Sequence, residues 1–142
     1  MRTIAIAADH AGLPLKAALV PALERKGLRV LDLGTMSDAS VDYPDYADAL
    51  ACRIEAGEVE RGVLICGSGI GMSIAANRHR AVRAAVCRDA ESARLARQHN
   101  DANVLCLGAR LIAADDAKAC LEAFLDTPFE GGRHARRVAK LA

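Results

Sequence analysis

Short apolar runs alternate along this chain with longer stretches whose apolar residues recur at helical spacing. Residues 3–8, 28–33, 63–65, 81–86 and 104–107 read as strands, and residues 13–26, 43–56, 71–77, 89–99 and 113–125 as helices. Strands separated by helices pair through crossovers, which build a parallel sheet covered on both faces. The expected fold is therefore α/β: a three-layer α/β/α sandwich around a five-stranded parallel, Rossmann-like sheet. Pro14 suits a first helical turn, Gly27 a helix stop and Asp89 an N-cap. Pro21 falls inside the first helical pattern, where its missing N–H and its ring predict a kink or a late start. No internal repeat or low-complexity linker divides the chain, and 142 residues suit one domain spanning 1–142. The tail from Gly131 to Leu141 reads as a turn followed by a short basic helix near 133–141, expected to pack against a partner subunit.

Composition narrows the function. A hydrophobic content of 52% is ample for a core, while a net charge of +1 and 3% aromatic residues offer neither a basic surface nor a stacking platform for nucleic acid. The ligand is expected to be small. The apolar run from Ile4 to Ala8 is too short for a secretory or membrane-spanning segment, so a soluble cytoplasmic protein with no membrane partner is expected. The five cysteines contain no C-x-x-C pair, which argues against a disulfide framework and a structural zinc site. Reduced thiols are the natural reading.

In a parallel sheet, ligands bind outside the carboxyl ends of the strands. The predicted strands are followed there by Asp9-His10, Gly34-Thr35, Cys66-Gly67-Ser68, Cys87-Arg88-Asp89 and Gly108-Ala109-Arg110, so one rim collects acid, base, thiol and cation. Gly67-Ser68-Gly69-Ile70-Gly71 can turn tightly and aim backbone N–H groups at an anion. It lacks the Gly-Lys-Ser/Thr of a P-loop, the G-x-G-x-x-G of a dinucleotide fold and the G-x-S-x-G of a hydrolase elbow. A tight strand-to-helix turn with a buried cysteine remains open on spacing alone. Cys66 stands apart from Cys52, Cys87, Cys106 and Cys120, which fall within apolar or helical patterns and read as inert. His10 sits beside Asp9, and His99 in the polar cluster Gln98-His99-Asn100-Asp101, whereas His79 has no comparable neighbour and reads as solvated. Arg133 and Arg137, four apart, would share a helical face and could clamp a phosphate, or could simply form a solvated basic terminus.

Taken together, Asp9-His10, Asp42-Tyr43-Pro44, the 66–71 loop, Arg97-Gln98-His99-Asn100-Asp101 and Gly131-Gly132-Arg133-His134 give the chain a nearly full-length resemblance to type B ribose-5-phosphate isomerases. The resemblance implies interconversion of ribose 5-phosphate and ribulose 5-phosphate through a cis-enediolate, with no metal and no cofactor. Family members use as base either a cysteine at the position of Cys66 or a glutamate at that of Met72, so this chain resembles the cysteine branch. By the same carry-over His99 would open the furanose ring, Asp9 would hold the sugar, and Ser68 would support Cys66 or a hydroxyl. Backbone N–H groups from Gly67 to Gly71, Gly69 and Ile70 included, would bind the enediolate oxygen, and Asn100 would bind the same end of the substrate. His10, Arg110, Arg133 and Arg137 would hold the phosphate. The resemblance also implies a homodimer or tetramer with active sites shared between subunits; an interface supplied by the longer tail of some relatives is not expected here.

Substrate length stays open, because relatives on this framework isomerise hexose 6-phosphates of the allose or galactose type, or smaller sugar phosphates, and loop 35–42 could alter the pocket. A noncatalytic phosphosugar sensor would use the same cradle.

Overall fold

The computed structural model describes residues 2–142 and contains one parallel sheet of β1 (Thr3–Ala8), β2 (Arg29–Asp32), β3 (Gly62–Cys66), β4 (Ala84–Val86) and β5 (Val104–Gly108). The strand order is β2-β1-β3-β5-β4. Six helices surround it: α1 (Leu13–Arg25), α2 (Tyr43–Glu55), α3 (Ile70–Ala76), α4 (Ala90–Asn100), α5 (Ala114–Asp126) and α6 (Arg133–Ala139). The expected α/β sandwich is thus the observed one. From β1 the chain winds outward to β2, then returns to place β3 on the other side of β1. This reversal opens a crevice above the carboxyl ends of β1 and β3, where Asp9 and Cys66 lie.

Period-two alternation divides the core. Ile4, Ile6 and Ala8 of β1, with Val63 and Ile65 of β3, join Leu19, Leu23, Leu121 and Phe124 in one layer under α1, α4 and α5. Ala5, Ala7, Leu64 and Cys66 point the other way and pack with Leu50, Met72 and Cys106 under α2 and α3. Each fully buried leucine or phenylalanine contributes about 1.5–3 kcal/mol relative to exposure. The Cys66 side chain therefore stands on the α2/α3 face, beside the loop that starts α3.

Two expectations need correction. The late start is not observed: helix α1 begins at Leu13 and continues past Pro21 to Arg25. Pro21 and Ala17, whose carbonyl loses its helical N–H donor, are both exposed, so water can replace the missing bond. The run at 81–86 contributes only Ala84–Val86 to the sheet, because Val82 N–H donates to His79 C=O at 3.0 Å in a turn and Val82 packs beneath the edge instead. The basic tail forms α6 as expected, although it ends at Ala139. No helix among the described residues is long and apolar enough to cross a membrane.

Candidate active site

Strand β3 delivers Cys66 to the floor of a cleft of about 550 Å³ lined by Asp9, Tyr43, Gly67, Ser68, Ile70, Gly71, Ile74, Arg110 and Leu111. The thiol is 5% exposed and Asp9 7%. Gly69 N–H points at Cys66 Sγ from 3.2 Å, and Ser68 Oγ accepts from Ile70 N–H at 3.2 Å, leaving the serine proton free to donate. Gly67 and Ser68 N–H have no protein acceptor among the described residues, and Gly71 lies in the first turn of α3, where N–H groups lack intrahelical partners. The loop thus presents several donors to one small volume.

Local geometry explains the glycines. Gly69 adopts φ +78°, and a Cβ there would lie 2.9 Å from the Leu107 carbonyl carbon. Gly71 passes so close to Tyr43 that a Cβ would sit 2.5 Å from the ring. Arg110 is anchored to the same loop, its N–H donating to Gly67 C=O at 3.0 Å while its guanidinium extends over Gly67. Asp9 Oδ1 accepts from Gly12 N–H at 3.1 Å and so caps the 3₁₀ turn His10–Gly12. His10 stands beside the cleft with Nδ1 accepting from Val41 N–H at 3.1 Å. That bond ties the loop before α2 to the ring and directs Nε2 as the remaining polar atom.

His99, Asn100, Arg133 and Arg137 lie elsewhere. Cys66 pairs in register with Gly108 at the carboxyl end of β5, whereas His99 and Asn100 immediately precede its amino end at Val104. Four strand steps, about 13 Å, separate Gly108 from Val104, and α4 ends with His99 and Asn100 on the Val104 side. Asn100 borders a different hollow with Asn77 and Arg83. His99 stacks on His134 with ring centroids 4.3 Å apart, and the Nε2 atoms of the two rings lie 4.0 and 3.5 Å from Glu130 Oε1. Burial, then His99 and the neighbouring arginines, hold His134 below the usual imidazole range. Arg97, 4% exposed, donates to Asp101 Oδ1 at 2.9 Å, Ala102 C=O at 2.7 Å and Thr127 C=O at 3.1 Å, which fixes the end of α4 and the approach to α6. Arg133 and Arg137 are exposed on α6.

Tyr43, which lines the cleft, and His134, which stacks on His99, had no role assigned from sequence, although both fall within the blocks that carry the resemblance. His79 is not simply solvated, since its ring nitrogens lie 2.8 Å from Asp48 and 2.8 Å from Glu55. Among the thiols, Cys52 is exposed rather than packed. Burial pushes the Cys87 thiol up to about 11 and Cys120 to about 12, and also raises Cys106, so these three stay protonated and inert at neutral pH.

A family model described as Ribose/Galactose Isomerase matches residues 4–141. The chain is 47% identical over 138 residues to ribose-5-phosphate isomerase B of Escherichia coli, covering 97% of this chain and 93% of the relative. It is 45% identical over 142 residues to a D-erythrulose-4-phosphate isomerase of Pectobacterium atrosepticum, covering 99% and 93%. The crystal structure of a ribose 5-phosphate isomerase from Thermotoga maritima superposes with a TM-score of 0.96 at 52% identity, covering 99% of this chain and 97% of that one. With these matches extending over the cleft, the glycine loop and the α4–α6 end alike, the chain belongs to the ribose/galactose isomerase family, among its type B ribose-5-phosphate isomerases.

Proposed function

We propose that the protein interconverts ribose 5-phosphate and ribulose 5-phosphate by proton transfer at Cys66, without metal or cofactor. The observation carrying this reading is a cysteine in a cleft with a carboxylate, an arginine and a row of backbone donors. In the aldose-to-ketose direction the Cys66 thiolate takes the proton from C2, and the electrons of that bond form the enediolate as charge moves onto O1. Of the loop's backbone donors, the Gly67, Ser68 and Gly71 N–H groups stabilise that oxygen, each well-placed donor contributing roughly 3 kcal/mol, while Gly69 N–H faces the Cys66 sulfur and Ile70 N–H is held by Ser68 Oγ. The O2 hydroxyl proton then passes to O1 across the cis-enediolate, which makes C2 the carbonyl carbon, and the thiol returns its proton to C1. Asp9 holds sugar hydroxyls, and the Ser68 O–H donates to a hydroxyl beside Cys66. Met72, wholly buried in the layer under α3, offers no carboxylate that could replace the thiol.

His99 acts as the ring-opening acid, with Asn100 binding beside it and Arg133 and Arg137 joining His10 and Arg110 on the phosphate. Because His99 and Asn100, with α6 beside them, lie toward the edge of the sheet opposite Cys66, a second copy supplies the α4–α6 residues in a homodimer or higher assembly. The apolar rim of the cleft supports this arrangement: Ile70, Ile74 and Leu111 are 52%, 63% and 52% exposed.

The name of the Pectobacterium relative favours a second reading in which the preferred sugar has four carbons; hexose 6-phosphates are the longer alternative. A panel of four-, five- and six-carbon aldose and ketose phosphates, assayed with EDTA present, decides among them. The pentose pair should give the highest kcat/KM, and Cys66→Ala should lower kcat about 10²–10⁴-fold with the fold intact. Preference for another chain length would change the substrate, and a fully active Cys66→Ala would remove the base. A noncatalytic sensor would bind the panel yet exchange no carbon-bound hydrogen with deuterated solvent.

A further inference from the structure

Helix α2 carries Asp48, Cys52 and Glu55 at spacings of four and three, which place them on one helical face. His79 reaches that face from the turn after α3, its backbone held by N–H donation to Ala76 C=O at 3.1 Å and by acceptance from Val82 N–H at 3.0 Å. Its Nε2 lies 2.8 Å from Asp48 Oδ1 and its Nδ1 2.8 Å from Glu55 Oε1. The exposed Cys52 completes a trio in which sulfur, imidazole nitrogen and carboxylate oxygen lie within 4.8 Å of one another. With Nε2–H donated to Asp48, Nδ1 and the Glu55 carboxylate are two acceptors facing each other, and a cation must stand between them. A proton can do this, but it leaves the adjacent thiol unused.

We propose that Cys52, Glu55 and His79 bind a borderline-soft divalent cation of the zinc type, with Asp48 orienting the imidazole and water completing the shell. Mixed sulfur, nitrogen and oxygen donors suit zinc, and a carboxylate on the far nitrogen of a ligating histidine fixes its tautomer and raises its basicity. Zinc bond lengths of about 2.0–2.3 Å bring the donors to within about 3.6 Å of one another. Rotamer changes in the exposed Cys52 and Glu55 supply that closure. The site is separate from the isomerase cleft, since α2 starts there at Tyr43 and Glu55 lies about 18 Å further along the helix. The cation thus ties α2 to the α3–β4 turn and takes no part in proton transfer.

Titration of the EDTA-treated, full-length protein with Co²⁺ tests this, because a cobalt–thiolate bond gives a charge-transfer band that carboxylates and imidazoles do not. Wild type should show this band, saturating at one Co²⁺ per chain and displaced by Zn²⁺. Cys52→Ser should abolish it, His79→Gln should weaken Co²⁺ binding at least about tenfold, and Asp48→Asn should weaken it about 10–100-fold. Cys66→Ser should keep the band, and Cys52→Ser should keep wild-type isomerase turnover, which also reports that it folds. Absence of the band in wild type, its survival in Cys52→Ser, its loss in Cys66→Ser, or unchanged affinity in His79→Gln would each overturn the proposal.

Discussion

Cys66 and Cys106 share the α2/α3 face of the sheet, yet their surroundings differ. Cys106 pairs with Leu64 in mid-sheet and is wholly buried, while Cys66, two residues further toward the carboxyl edge, meets the cleft. One step along the pleat thus separates a packing residue from the proposed base. His134 shows the same dependence on surroundings. Its imidazole is held below the ordinary range by burial and by His99, so the folded chain favours the neutral ring. This contribution to stability is fully present above the unfolded value of about 6.5 and is lost as pH falls through the folded value. His79, raised above the ordinary range by its hydrogen bond to Asp48, works in the opposite sense, so the test is a difference: toward mildly acidic pH, denaturant midpoints should fall more steeply in wild type than in His134→Gln. An unchanged slope would show that His134 is not its source.

At the element scale, loops impose the tightest demands. Gly69→Ala would require φ +78° of a residue with a Cβ, costing about 1–2 kcal/mol before contact with Leu107 is counted. Urea unfolding should show at least that loss, and turnover should fall with it because Gly69 N–H faces Cys66. Pro21 offers the opposite prediction. Since α1 continues past it on an exposed face, Pro21→Ala restores a helical N–H, so thermal and urea midpoints should rise, with a gain in unfolding free energy of up to about 3 kcal/mol. The proline was visible in the sequence, but its tolerance was not, because that depends on which helical face meets water. Strand β1 was legible end to end because its apolar run stops at a polar pair. The start of β4 was misread because Ala81 and Val82 are apolar for reasons of packing rather than strand pairing. His79 was misread because its carboxylate partners are 31 and 24 residues away, on α2.

Across the whole molecule, the family could be read from short blocks of sequence, whereas the distance between those blocks could not. The blocks give residue types, while register between β3 and β5 decides which edge each occupies. That register puts Cys66 and Arg110 at one edge and His99 and Asn100 at the other. A closed two-fold pair can bring the unlike ends together twice, once at each cleft. Co-expression of a Cys66→Ala chain with an Arg133→Ala/Arg137→Ala chain, each bearing a different affinity tag, tests this most directly. Each variant alone should be nearly inactive on ribose 5-phosphate, whereas the doubly tagged hetero-oligomer should regain about half the wild-type turnover per dimer, because one of its two clefts is intact. A doubly tagged complex as inactive as its parents would contradict an active site built from the Cys66 end of one chain and the α4–α6 end of another.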